Sequence, residues 1–273
     1  MNNSSEATAK DFAALNGHLG LSRKLRGLDY VRCLEFPLVY NLLQLEPGMK
    51  VLDAGSRTSV FPLFITQHND VEMHATDLDP EIDGLSQLAA KLPNPKGKLV
   101  VKQADLRKLP YEDNTFDRIT VISVIEHVPD PGDTEGARDL ARVLKPGGKL
   151  IITVPFGMTD RDFFMNQTVY SEDFKGDPVF FQRHYTPETF EQRLIEPTGL
   201  KVEQRAYFGE AGYPFFNRFW VLPSWIRPIK ALYAWLSPFF AGKFMNVYDS
   251  PAPLTLQSPP MITANGTFVV LTK

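Results

Sequence analysis

VLDAGSRTSVFP, Val51 to Pro62, joins a short apolar run to a carboxylate, a glycine and then a helix-like segment. MKVLDAG is too short for a buried helix and ends in residues that break regular structure, so it reads as a strand with Asp53-Ala54-Gly55-Ser56 at its carboxyl end. SVFPLFITQH then supplies the helix that a parallel neighbour requires, because parallel strands cannot be joined by a hairpin. The same rhythm continues downstream through VEMHATDLD, KLVVKQADL, FDRITVISVI and GKLIITVPF. PEIDGLSQLAAKL and TEGARDLARVLK provide intervening helices. Strands alternating with helices predict a parallel sheet covered on both faces.

LKPGGKL ends the last of these helices: Lys145 suits the negative helix end, and Pro146, Gly147 and Gly148 turn the chain into the fifth strand. After Phe156 an insertion runs to HYTPETFEQRLIEPTGL, where Thr186 and Pro187 open a helix that leads to a strand at about 200–207. ITANGTFVVLTK reads as a closing strand. Upstream, residues 1–20 lack a clear period and are expected as a flexible tail, followed by a helix over about 28–45. The remainder, 21–273, is expected as one domain, with its core at about 46–157 and an acceptor or lid insertion at about 208–262.

The chain has 273 residues and a formal net charge of −3, which gives no general attraction to nucleic acid or an anionic surface. A basic groove for nucleic acid is not evident. Cys33 has no partner for an internal disulfide, and the first residues carry neither a secretory nor a transit pattern, so a cytosolic location is expected. Cys33 itself lies in an apolar-periodic segment and reads as a packing residue.

Ligands of an open parallel sheet bind beyond the carboxyl ends of its strands. Asp77 ends the second strand, where a carboxylate can accept both hydroxyls of a ribose. Asp105 ends the third and can accept from the amine of an adenine, with Leu78 and Leu106 as apolar faces for the base. Gly55 permits close approach of the backbone. These positions together describe an adenosine site. A nicotinamide or flavin dinucleotide would need glycines spaced to cradle a pyrophosphate, but residues 55–60 read Gly-Ser-Arg-Thr-Ser-Val.

The succession VLDAGS, ATDLD, QADLRKLPYEDNTFDRITVISVIEHV and LKPGGKLIITVPFG resembles the class I S-adenosylmethionine-dependent methyltransferases, particularly their type 11 small-molecule branch. The resemblance covers about 50–157. It implies an α/β, Rossmann-like sheet of seven strands with helices on both faces, whose last strand, about 264–272, inserts antiparallel between the fifth and sixth. It also implies S-adenosylmethionine as cofactor, with Asp53 and Gly55 beside the methionine moiety, Ala54 and Ser56 in the same cofactor-binding turn, Asp77 at the ribose and Leu78 among the cofactor contacts. Asp105 and Leu106 would meet the adenine, and Ser123, Val124, Glu126 and His127 would line the reaction centre. Arg57 departs from the family's glycine-rich pattern. It could pair with the methionine carboxylate, face solvent or block the pocket. Asp79 divides between a ligand contact and capping of the helix that Pro80 begins.

The implied reaction is methyl transfer to a small or amphipathic acceptor, with O-methylation favoured over N- or C-methylation. A catalytically inert scaffold that binds a partner or membrane is the other class of function. Alignment of the acceptor does most of the work in such a displacement, and a base is needed only when the acceptor must lose a proton. His127 is the candidate base, since imidazole titrates near neutrality, and Glu126 can orient it. Too few ligands assemble around Glu126 for a metal site, so no metal is assigned. Acceptor contacts are expected from Tyr30, Arg32 and Glu35 and from Arg183, His184 and Tyr185.

Residues 211–248 contain twelve aromatic side chains, four basic ones and no acid. Trp225, Ile229, Leu232, Tyr233, Leu236, Phe239 and Phe240 fall at helical spacing, with Arg227 and Lys230 available for a polar face. Pro223, Pro228 and Pro238 argue against a spanning helix. Three readings remain: an aromatic-rich lid over a small-molecule or lipid-like acceptor, a peripheral membrane contact, or a subunit interface.

Overall fold

A computed structural model describes residues 6–157, 159–166, 177–210, 227–252, 254 and 265–273, with the side chains of 227–231 and 234 excepted. The five expected strands are β1 (Lys50–Ala54), β2 (Glu72–Asp77), β3 (Lys98–Gln103), β4 (Phe116–Ile122) and β5 (Leu144–Pro155). Two further strands, β6 (Arg161–Met165) and β7 (Val179–His184), form a separate antiparallel pair in the insertion. β8 (Lys201–Glu210), β9 (Met245–Tyr248) and β10 (Gly266–Thr272) complete the main sheet, whose order is β3-β2-β1-β4-β5-β10-β8-β9.

β1 pairs in parallel with both β2 and β4. β10 runs antiparallel between β5 and β8, with Val270 opposite Ile151 on one side and Gln204 on the other. The expected insertion of the last strand is therefore present. Among the described residues the sheet has eight strands rather than seven because Met245–Tyr248 adds to the edge of β8.

Alternation along the strands divides the core into two layers. Ile151, Phe268 and Val270 face α1 (Ala9–His18), α3 (Arg32–Leu43) and α4 (Val60–His68). Leu150, Ile152, Val269 and Leu271 face α6 (Gly132–Val143) and α7 (Pro187–Phe190). Between these lie the short helices α2 (Leu21–Arg26) and α5 (Gly84–Ala89), and α8 (Arg227–Phe244) precedes β9.

The expected tail at 1–20 is corrected by α1; residues 1–5 lie outside the described residues. Asp11 accepts hydrogen bonds from the Thr8 amide and hydroxyl at 2.8 and 2.7 Å, which starts the helix. Phe12 is fully buried, its ring centroid 4.0 Å from that of Phe64. Phe12, Leu15 and, just past the helix, Leu19 are all buried, so a short apolar stripe holds this helix to the core.

Of the aromatic segment, residues 211–226 lie outside the described residues, while α8 confirms helix over its second half. Its apolar stripe does not all turn one way. Tyr233 and Phe240 pack on buried Tyr30, whereas Leu232, Leu236 and Phe239 are exposed.

Candidate functional site

The sheet order reverses between β1 and β4, and the carboxyl ends of β1 to β4 open there onto one cleft of about 960 Å³. That is room for a ligand of cofactor size.

At the end of β1, the Gly55 and Ser56 amides donate to the Thr76 carbonyl at 2.7 and 2.9 Å, fastening the turn to β2. Gly55 has φ of 89°, and a Cβ there would stand 2.3 Å from Val124 Cγ1. Glycine is thus required by backbone conformation and by the side chain above it. Asp53 is buried and accepts from the Ser56 hydroxyl at 2.6 Å and the Thr120 hydroxyl at 2.7 Å. Burial still pushes its carboxyl up to about 6, so the group holds the turn together at a cost in solvation.

At the end of β2, Asp77 accepts from the Arg57 amide through Oδ2 and from the Asp79 amide through Oδ1, each at 2.9 Å. Two carboxylate oxygens can accept more bonds than these two, leaving capacity for a ligand. Arg57 takes a positive φ of 43°, and its Nε lies 3.0 Å from Glu81 and 3.2 Å from Asp79. Its guanidinium is consequently held by acids at the rim. Asp79 also accepts from the Glu81 amide at 2.9 Å and caps the turn Pro80–Asp83, the capping role the sequence offered it.

Beyond β3, Asp105 forms a two-pronged pair with Arg107, at 3.0 Å to Nε and 2.6 Å to Nη2, which holds its carboxyl below the ordinary range. A ligand amine would share this carboxylate with Arg107.

The end of β4 is more heavily built. Ser123, at φ 49°, donates its hydroxyl to Glu35 at 2.7 Å, and Thr153 donates to the same oxygen at 2.9 Å. Arg32 pairs with the other oxygen of fully buried Glu35, so α3 is tied to the ends of β4 and β5. In the following turn, His127 Nδ1 lies 2.5 Å from the Phe181 carbonyl oxygen. A carbonyl only accepts, so Nδ1 carries the proton and neutral His127 keeps a lone pair on Nε2. Burial lowers the imidazole's proton affinity and favours that neutral form.

Glu126 is buried, and its Oε2 has no hydrogen-bond partner among the described residues. It lines a second cavity of about 140 Å³, which shares Asp29, Arg32, Ser123 and His127 with the main cleft. Burial raises its carboxyl from 4.5 to about 8. Between those values the unfolded chain releases a proton that the folded chain retains, so Glu126 lowers stability as pH rises through that window. Glu126→Gln should flatten this loss: thermal unfolding should show the variant gaining on the wild type by about 1 kcal/mol or more between pH 5 and pH 8, since a tenfold difference in proton affinity is worth about 1.4 kcal/mol. Parallel pH profiles of Tm would contradict it.

The strand-end residues expected at the site, Asp53 to Ser56, Asp77, Leu78, Asp105, Leu106, Ser123 and Val124, all line the main cleft, as do Arg32 and His127. Five expected acceptor contacts are not brought there: Glu35 lines only the second cavity. Tyr30 is buried beneath α8 and donates to Glu210 at 2.5 Å. Arg183 and Tyr185 bind Asp133 at 3.1 and 3.0 Å, and His184 is buried beside Phe163. The cleft wall is completed instead by Val179 and Phe180 of β7 and by Ser22, Arg23 and Arg26 of α2. Sequence reading missed these because neither the β6–β7 pair nor α2 carries a long periodic signal.

Residues 52–152 match the model of a methyltransferase domain. Over these residues the chain is similar to the class I S-adenosylmethionine-dependent methyltransferases. The chain is 32% identical over 119 residues to a demethylmenaquinone methyltransferase from Listeria welshimeri, covering 40% of the chain and 46% of that protein. It is 28% identical over 114 residues to methyltransferase GfsG from Streptomyces halstedii, covering 42% and 40%. The chain therefore spans less than half the length of either curated relative. The crystal structure of a methyltransferase from Methanosarcina mazei covers more, 87% of this chain and 97% of that one, at 17% identity and a TM-score of 0.55. That likeness shows the fold.

Proposed function

We propose that this chain transfers a methyl group from S-adenosylmethionine to a small or amphipathic acceptor, most suitably at oxygen. The observation that carries the reading is the convergence of Gly55, Asp77, Asp105 and Ser123 on one cleft that also receives His127. Those residues fit the cofactor: Gly55 has no Cβ to obstruct approach, and Asp77 retains acceptor capacity. Asp77 would hold the ribose, Asp105 and Leu106 the adenine, and the Asp53 to Ser56 turn the methionine portion. Bound there, the cofactor supplies a methyl group already activated by a positive sulfur.

The chain's own residues have to align the acceptor and remove its proton. His127 suits the second task because the Phe181 carbonyl fixes its proton on Nδ1 and leaves Nε2 free to accept one. Glu126, held uncharged near neutrality by burial, can donate a hydrogen bond to an acceptor oxygen from the adjoining cavity. Arg32, common to both cavities, is the acceptor contact supported from the helical side. The quinone named in one relative agrees with an amphipathic acceptor. A place of action at a membrane surface belongs to the same reading; among the described residues, no helix is long and apolar enough to cross a membrane.

Calorimetric titration with S-adenosylhomocysteine, the demethylated product, tests the proposal. One equivalent should bind the wild type, and Arg57→Gly should bind with similar affinity, because Arg57 is held by Glu81 and Asp79. Absence of binding to the wild type would overturn the reading. A large gain in Arg57→Gly would show that this side chain obstructs the pocket.

A further inference from the structure

The outward side of α8 is the wrong polarity for a helix facing water. Leu232, Trp235, Leu236 and Phe239 recur at intervals of three and four and are all exposed, Phe239 to 60%. α2 packs against α8 and adds Leu21 and Leu25, exposed to 72% and 62% and four residues apart on one face. Six large apolar side chains thus occupy the adjoining outer sides of two helices. An isolated exposed leucine needs no explanation, but a grouped apolar patch marks a contact surface.

The charges carried by the two helices themselves have one sign. α2 and α8 contain no acid in their sequences, LSRKLR and RPIKALYAWLSPFFAGKF. Lys10, Lys24, Arg26 and Lys243 are exposed, and Lys10 Nζ lies 5.4 Å from the centre of the Phe239 ring. One acid, Asp11 of α1, stands beside Lys10, with its carboxylate turned to the Thr8 amide and hydroxyl. Aromatic and aliphatic side chains among lysines and arginines suit the boundary of an anionic bilayer, where rings enter the headgroup layer and cations meet phosphates.

α2 also connects this patch to the cleft. Leu21 and Leu25 face outward, while Ser22, Arg23 and Arg26 line the cavity wall. We propose that the joint outer face of α2 and α8 docks on an anionic lipid bilayer, setting the cleft mouth at the membrane boundary so that an amphipathic acceptor enters from the lipid phase. The acceptor part rests on the methyl-transfer reading. Docking itself does not, because it requires only the surface.

The test is cosedimentation of the full chain with large vesicles of phosphatidylcholine alone and of phosphatidylcholine with about one-third phosphatidylglycerol. Binding should be about tenfold or more stronger with phosphatidylglycerol and should weaken as salt is raised, as screening requires. Leu21→Gln, Leu25→Gln, Trp235→Gln and Phe239→Gln combined should lower vesicle binding at least about tenfold through lost apolar burial. S-adenosylhomocysteine titration of that variant reports whether the cleft is intact. Vesicle binding by a wild type that fails to bind S-adenosylhomocysteine would support docking while overturning the functional reading. Failure of the wild type to sediment with either vesicle overturns docking, as does undiminished sedimentation of the variant. A concentration-dependent dimer in light scattering that the four substitutions abolish, without vesicle binding by the wild type, would instead assign the face to a second copy.

Discussion

Asp77→Ala is expected to weaken S-adenosylhomocysteine binding about 100-fold in calorimetric titration. The carboxylate stands at the end of β2, lines the cleft, and already accepts the Arg57 and Asp79 amides. A ribose adds two hydroxyl donors, and hydrogen bonds to a charged partner contribute about 1.5 to 3 kcal/mol each. Losing roughly 3 kcal/mol corresponds to that hundredfold change. The substitution also frees the two amides that shape the turn, so Asp77→Asn is the informative companion. It keeps an acceptor oxygen and should retain much of the turn while losing the charge. An intermediate affinity would place the effect on the ribose contact. Equal affinity in the wild type and Asp77→Ala would remove Asp77 from the cofactor site.

The largest stability effect is expected at Asp133, far less conspicuous in the sequence. This fully buried carboxylate receives Arg183 at 3.1 Å, the Tyr185 hydroxyl at 3.0 Å and Arg193 at 2.6 and 2.8 Å. It therefore joins the start of α6 to β7 and to the helical turn after α7. Asp133→Ala would leave Arg183 buried with less compensation, although Asp162 still pairs with it at 2.7 Å. Removing one member of a buried ion pair costs about 3 to 5 kcal/mol. Thermal unfolding should show Tm falling by about 10 °C, given roughly 2 to 4 °C per kcal/mol in a domain of this size. Asp162→Ala, at a partly exposed position, should cost clearly less. A change below about 1 kcal/mol for Asp133→Ala would mean that the network is dispensable.

These two acids mark where sequence reading succeeds and where it stops. Asp77 was legible because a strand has a period of two and a definite end, and the fold places ligands at that end. The same logic located Gly55, Asp105 and Ser123. It could not say that Arg57 meets Glu81 or that Arg107 meets Asp105, since both depend on the direction a side chain takes across a loop. Polar residues near one another in HYT likewise gave no indication of facing inward: Arg183 and Tyr185 answer to Asp133, fifty residues away in the chain. Tyr30 was equally misleading. Its surroundings come from α8 and Glu210, neither of which lies near it in sequence. The helix α1 escaped notice because its buried stripe, Phe12, Leu15 and Leu19, is only two turns long and set among polar and small residues.

The central position of β10 has a further consequence, for assembly. Strands β1 to β5 follow one another along the chain and can pair through nearby crossovers, whereas β8 and β9 meet that block only through β10. Pairing through β10 joins segments far apart in the chain, and contacts of that kind close slowly because loop entropy is lost before the pairing energy is gained. The seam that joins the most distant segments lies in the middle of the sheet. The outer face carried by α8 belongs to the long connection between β8 and β10, so the same central strand bounds the segment that presents it.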